Sequence, residues 1–128
     1  MAEGVLRKVF GESIEVESAG LLAVPGASAV PYAIQVCARN GIDISRHRAR
    51  YLDEAILRQA SLALVMEQSQ LSDMSRAYPW STGRVHRLGR FMDTDFADLL
   101  GLPEDRFAEF FNLASEAVAT WTAAIRSI

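Results

Sequence analysis

Apolar residues along this chain recur first at helical spacing and then at strand spacing, and the two periods alternate from one end to the other. Met1–Phe10 (MAEGVLRKVF) gathers Val5, Leu6, Val9 and Phe10 toward one side of an amphipathic helix, with no Ser, Thr, Asp or Asn ahead of it as a cap. Gly11 breaks that helix. Ser13–Ser18 (SIEVES) then sets Ile14 and Val16 against Glu15 and Glu17, the period of a strand with one covered face, placed toward a sheet edge. Ala19–Ser28, with two glycines and a proline, reads as a loop. It leads into a helix over about Val30–Asn40 that Gly41 ends, with Val30, Ile34 and Cys37 on its inner face. Asp53 can cap a short helix carrying Ile56 and Leu57. Ser61–Met66 (SLALVM) is apolar on both alternating faces, as in a parallel-sheet strand covered on both sides. Glu67–Tyr78 forms a further helix stopped by Pro79, and Val85–Leu88 a shorter strand.

The last helix has the clearest period. Phe107, Phe111, Ala114, Val118, Trp121 and Ile125 recur at alternating steps of four and three, while Asp105, Arg106, Glu109, Asn112 and Glu116 face outward. Such a helix packs across a sheet. Pro103 suits its first position, and Glu104 and Asp105 lie where the helix dipole favours negative charge. Alternating strands and helices predict an α/β fold. Such a pattern normally opens on a strand with a loop of chemistry at its carboxyl end, and here it opens on a helix, so a first strand is expected to be missing, the central one in the fold that the resemblance below implies.

Composition narrows the function. A chain of 128 residues that is 50% hydrophobic has the length and the core of one domain. Sixteen acidic against 13 basic side chains, spread along the chain for a net charge of -3, give no basic stripe to track phosphates and argue against nucleic acid. A single cysteine, Cys37, excludes an internal disulfide. The apolar runs are too short to cross a bilayer, and no charged-then-apolar signal opens the chain, which points to a reducing cytoplasm. Two histidines and one cysteine without close ligand spacing argue against a metal site, and no other cofactor is implied.

Taken in order, MAEGVLRKVFG, VESAGL, GIDISRHRAR, LALVME and ADLLGLPEDRFAEFFNLASEAVATW resemble the low-molecular-weight protein-tyrosine phosphatases, most closely the bacterial type that accompanies capsule and exopolysaccharide synthesis. The resemblance covers essentially the whole chain. It implies a three-layer α/β/α fold of the phosphotyrosine phosphatase I type, with no cofactor. In that family a buried strand and a Cys-x5-Arg loop ending in Arg-Ser-Pro precede the helix matched by Met1–Phe10. There a thiolate attacks phosphorus while backbone N–H groups, the loop arginine and a helix N-terminus hold the phosphate oxygens. Cys37 is a poor substitute, because it lies on an apolar helix face and the residue six positions on is Asp43, which would repel a phosphate dianion. A small side chain filling core space is the better reading of it.

The resemblance carries further roles onto this sequence. Counting back from Phe107 places the family's general acid at Asp98, which would protonate the leaving phenol oxygen and later take a proton from water. Asp93 and Asp95 are rivals for that role, and a merely solvated loop carboxylate is the plainer alternative. The family's Asp-Pro-Tyr becomes Asp98, Leu99 and Leu100, which loosens the loop and removes an aromatic wall. Leu21, Leu22 and Pro31, with Leu100, fall where the family builds the apolar rim of its substrate cleft. His47 matches a histidine that helps orient the nucleophile loop. Its neighbours Arg46, Arg48 and Arg50 read as a solvated basic face, and His86 has no counterpart. The implied partner is a phosphotyrosine protein, such as the tyrosine-rich tail of a bacterial autokinase.

Three functional readings follow. The first is a phosphatase whose nucleophile loop lies upstream of these residues, so that the chain as written is inactive. The second is a non-catalytic pseudophosphatase that binds a partner. Against it stands the loss of four or five buried side chains at about 1.5 to 3 kcal/mol each, on the order of 10 kcal/mol, which rivals the ~5 to 15 kcal/mol stability of a small domain. A homodimer in which another strand fills the gap would restore that loss. The third, an arsenate reductase, needs further cysteines, and Met66–Phe91 contains none.

Overall fold

The structure, a computed structural model, describes residues 1–127. Five helices and two strands run in the order α1 (Ala2–Phe10), α2 (Pro31–Arg39), α3 (Glu54–Gln59), β1 (Ala63–Val65), α4 (Gln68–Ala77), β2 (Val85–Arg87) and α5 (Glu104–Arg126), with 3-10 turns at Pro79–Ser81 and Arg90–Met92. Three of the helices start where their sequence supplies the missing backbone partners or no donor is needed. Asp53 accepts from the Ile56 N–H to start α3, Glu67 and Gln70 form a reciprocal capping box on α4, and Pro31 opens α2. Pro103 stands one position earlier than expected, as the residue preceding α5.

β1 and β2 run parallel, pairing Ala63 with Val85, Leu64 with His86 and Val65 with Arg87. Side chains alternate across a strand, and β1 sends Leu62, Leu64 and Met66 into one apolar cluster and Ala63 and Val65 into another. The larger cluster is built by α1, α2 and α5, and the smaller by Leu57 of α3 and Met74 of α4 with Val85. Helices on both faces of a parallel pair make the α/β/α layering. The cover is thinner than the run SLALVM suggests, since every residue of β1 is only half-buried.

α5 supplies the longest seam. Phe107, Phe111, Ala114, Val118, Trp121 and Ile125 are all buried as their spacing predicts, and Ala117 joins them. Trp121 Nε1–H donates to the Leu88 carbonyl at 2.8 Å, tying the helix to the end of β2.

Two expectations fail. Ser13–Ser18 is not a strand: Ile14 and Val16 are half-buried and Glu15 and Glu17 exposed, so the period of two is present, but no ladder forms. Side chains bond its carbonyls instead. Arg7 donates to Val16 O through Nη2 at 2.6 Å and Nε at 3.1 Å, and Arg50 Nε donates to Ser18 O at 3.0 Å. On α2 the inner face is Ala33, Val36 and Cys37 rather than Val30, Ile34 and Cys37. Val30 is the residue before the first turn and is 37% exposed, because Pro31 sets the helix start one residue later than the apolar spacing suggests.

The α5 seam gives a direct prediction. Phe111→Ala is expected to cost about 3–5 kcal/mol in urea unfolding, whereas Leu113→Ala, on the exposed side of the same turn, stays within about 0.5 kcal/mol of the parent.

Candidate functional site

The loop that follows β2 carries the three candidate acids, and it is pinned at several points before it reaches α5. Gly89 allows the first. A Cβ there would stand 2.0 Å from the Thr94 carbonyl oxygen, so only glycine lets the loop fold back this closely. Thr94 N–H closes that return on Gly89 O at 3.1 Å, and the N–H of buried Phe96 donates to Met66 O at 2.8 Å, tying the loop to the end of β1.

Asp95 is the second pin. One carboxylate oxygen accepts from Arg87 Nη1 at 2.8 Å, and the other from the Gln68 N–H that opens α4, at 3.1 Å. The Arg87 hydrogen bond, with that of Gln68 behind it, holds the Asp95 carboxyl below its ordinary value of 3.8. Asp93 also pairs with Arg87, at 3.5 Å, from an almost fully exposed position. Both rivals for the acid role are therefore engaged in holding the loop to β2.

Asp98 is placed differently. It is exposed, and its Oδ1 accepts from the Leu100 N–H at 3.1 Å, a short side-chain turn of the kind aspartate favours. Leu99 turns inward onto the main core, while Leu100 is 76% exposed. The Leu102 N–H donates to Leu99 O at 2.9 Å across Leu100 and Gly101, and Gly101 has φ +80°, as the third residue of a type II turn requires.

Leu100, Gly101, Leu102 and Pro103 form one wall of an open groove of about 630 Å³; Val30, Pro31, Tyr32 and Phe107 complete it. No charged side chain lines it. Of the predicted rim, Pro31 and Leu100 meet here. Leu22 is 95% exposed and belongs to a different loop surface, and Leu21 packs with the smaller cluster instead. Tyr32, Leu102 and Phe107 are the groove residues that sequence reasoning missed. Helical spacing assigns Phe107 to the core, and nothing in the sequence marks the loop after Asp98 as folding against the start of α2.

His47 Nδ1 lies 3.9 Å from Glu3 Oε1, and Glu3 also accepts from Ser18 Oγ at 2.6 Å. Arg48 and Arg50 turn to backbone carbonyls and, for Arg50, to Glu17. Cys37 is fully buried, and burial pushes its thiol up, the reverse of what a nucleophile needs. His86 Nδ1 lies 3.2 Å from Arg90 Nη1; a guanidinium only donates, so this nitrogen accepts and the ring is neutral. Burial and then Arg90 lower its pKa. Among the described residues no group of three His, Cys, Asp or Glu side chains is placed to hold a metal.

A parallel strand pair between helical layers defines an α/β protein, a class in which ligands generally bind beyond the carboxyl ends of the strands. Comparison with known proteins narrows the class. The family model described as low molecular weight phosphotyrosine protein phosphatase matches residues 1–127. The chain is 36% identical over all 128 residues to a probable low molecular weight protein-tyrosine-phosphatase, EpsP, of Ralstonia nicotianae, covering 88% of that relative. Its fold matches the tyrosine phosphatase Wzb from Escherichia coli K30 in complex with sulphate, with a TM-score of 0.90 and 30% identity over 97% of this chain and 87% of that one. It also matches Vibrio vulnificus Wzb in complex with benzylphosphonate, with a TM-score of 0.88 and 28% identity over 94% and 85% of the two chains. The chain belongs to the low molecular weight phosphotyrosine protein phosphatase family.

Two substitutions test the pinned loop. Gly89→Ala forces the Thr94 carbonyl away and is expected to cost about 1–3 kcal/mol, with faster proteolysis between residues 90 and 100 than in the parent. Asp95 titrates lower folded than unfolded, so its contribution is present above about 3.8 and fades as pH falls through the folded value. Asp95→Asn is expected to lower stability at neutral pH and to flatten the acid limb of a denaturation-versus-pH curve.

Proposed function

We propose that this chain carries the proton-handling loop and the leaving-group groove of a protein-tyrosine phosphatase of the exopolysaccharide type, which hydrolyses phosphotyrosine through a cysteinyl-phosphate intermediate. The observation that supports this most is the 36% identity to EpsP over the full 128 residues, running through the acid loop. In this reading the nucleophile thiolate forms a bond to phosphorus as the bond from phosphorus to the phenol oxygen breaks. Asp98 delivers its proton to that oxygen. It then takes a proton from the water that attacks the cysteinyl phosphate, releasing inorganic phosphate and the thiolate.

The other parts follow in the same frame. Pro31 and Leu100 belong to the rim that meets the phosphotyrosine segment, Leu22 stands apart from them on an exposed loop, and His47 helps hold the nucleophile loop. The substrate is a phosphotyrosine protein, with a bacterial tyrosine autokinase as the favoured partner. The setting is the cytoplasm, and among the described residues no helix is long and apolar enough to cross a membrane. The 128 residues act as one domain. Their only thiol is buried Cys37, so the nucleophile and its Cys-x5-Arg loop are supplied from outside these residues. Alone the chain lacks the phosphate cradle and therefore turnover. The alternative reading is a partner-binding module, in which a strand of a second copy would fill the gap in the sheet.

The purified chain is expected to leave p-nitrophenyl phosphate unhydrolysed. Joining a strand and a Cys-x5-Arg-Ser-Pro loop ahead of Met1 is expected to give turnover, and Asp98→Asn to reduce it by about 10² to 10⁴. Turnover by the 128 residues alone that Asp98→Asn abolishes would disprove the missing nucleophile. An inactive fusion that still folds would favour the binding module.

A further inference from the structure

We infer that His86 is a positioning residue for the loop after β2, holding its first turn to α5 while the imidazole is neutral and releasing that turn when the ring takes a second proton. The consequence for turnover rests on Asp98 as the acid; the latch itself does not.

Four side chains from three elements close a ring of contacts. His86 of β2 lies against Trp121 of α5, with centroids 5.7 Å apart and planes at 36°. Trp121 meets Phe91 at 4.8 Å, the Arg90 guanidinium carbon stands 5.4 Å from the Phe91 ring centre, and Arg90 Nη1 returns to His86 Nδ1 at 3.2 Å. The Arg90–Met92 turn is thus tied by its side chains to both β2 and α5. Phe91 is 55% exposed, so it depends on this ring of contacts more than on burial. The pins at Thr94, Asp95 and Phe96 act only farther along the loop.

Protonation breaks one link. Because Nδ1 accepts, Nε2 carries the proton of the neutral ring; a second proton must go to Nδ1, where it meets the Arg90 donor and a like charge. The other surroundings offer no relief. Arg76 of α4 lines the same cavity and is paired with Asp73, while Ser81 and Thr82 ahead of β2 are uncharged. α5 presents Trp121, and β1 presents Leu64 in register. On the same strand Arg84 donates to the Arg58 and Ala60 carbonyls, and Arg87 holds Asp93 and Asp95. None of these groups is a carboxylate free to pair with an imidazolium. Burial and then Arg90 accordingly hold the ring below its ordinary 6.5. With the folded value lowered, the stability of the latch is complete above about 6.5 and is lost as pH falls through the folded value.

The test is NMR on the 128-residue chain, which needs no turnover. The His86 ring is expected as the Nε2–H tautomer at neutral pH, titrating below 6.5. Hydrogen-exchange protection of the Met92 and Asp93 amides is expected to fall about three- to tenfold through the same midpoint, the range of one lost hydrogen bond. Arg90→Leu should raise the midpoint and leave protection at its acid-side level at every pH. His86→Gln, whose amide oxygen can accept from Arg90 without titrating, should keep protection throughout. His86→Phe, which keeps a ring against Trp121 but accepts nothing, should lose it, whereas a role in packing alone would reverse that order. Methyl signals of fully buried Leu57 and Val118 report whether each variant keeps its fold. The inference is overturned if the ring titrates at or above 6.5, if Nδ1 carries the proton at neutral pH, or if protection does not follow the ring. It is overturned too if folded His86→Phe protects the turn as well as the parent does. In the fusion bearing the Cys-x5-Arg loop, His86→Gln should remove one acid-side ionisation from the kcat profile, and an unchanged profile would deny His86 its positioning role. A latch seen by NMR beside a folded but inactive fusion would instead sink the phosphatase reading and spare the latch.

Discussion

The seam of α5 is the contact on which the rest of the molecule leans. Two short parallel strands with half-buried residues cannot hold a fold by their own ladder, and they depend on a face packed against them. Seven buried residues of one 23-residue helix provide that face and reach α1, α2 and the end of β2 together. The bond from the Trp121 indole to Leu88 adds direction to an otherwise non-directional contact, because it fixes where along α5 the strand ends. The loop bearing Asp93, Asp95 and Asp98 starts one residue later, so the helix sets the origin of the candidate site as well as the core.

From that origin the loop is positioned by groups with little freedom. Gly89 admits the Thr94 carbonyl, Phe96 inserts into the core, and Asp95 spans from β2 to the first N–H of α4. Two of three neighbouring carboxylates are thus occupied by Arg87, and the third is exposed and accepts from the Leu100 N–H. This division of labour among acidic residues within six positions is invisible in their spacing. It becomes clear only when their partners are known.

Periods that depend on one residue facing one core were legible in the sequence, and features that depend on a second segment were not. The α5 seam was readable at all six positions because helical spacing and apolar identity agree there. Asp53 and Gly41 marked helix ends for equally local reasons. Ser13–Ser18 shows the other case. Its alternation is real, yet a strand is defined by pairing, and its Val16 and Ser18 carbonyls are met by Arg7 and Arg50. The same limit hid the groove. Tyr32 and Leu102 are 70 positions apart, each unremarkable in its own stretch, and the long-range return of the loop onto α2 is what makes them neighbours.

The absence of a proline after Asp98, where Leu99 and Leu100 follow instead, looks from sequence like a loss of order, and energetics argue otherwise. A proline in a compatible loop stabilises by about 0.4–1 kcal/mol, chiefly by restricting the unfolded chain. Burying a whole leucine side chain contributes about 1.5–3 kcal/mol, so the partial burial of Leu99 against the main core already matches the proline. The side-chain turn from Asp98 to Leu100 and the backbone bond from Leu102 to Leu99 add two further restraints within the same five residues. Both restraints act on the folded loop, whereas proline acts mostly on the unfolded one. The order therefore comes from packing, and it leaves Leu100 and Leu102 lining one groove with Tyr32 of α2.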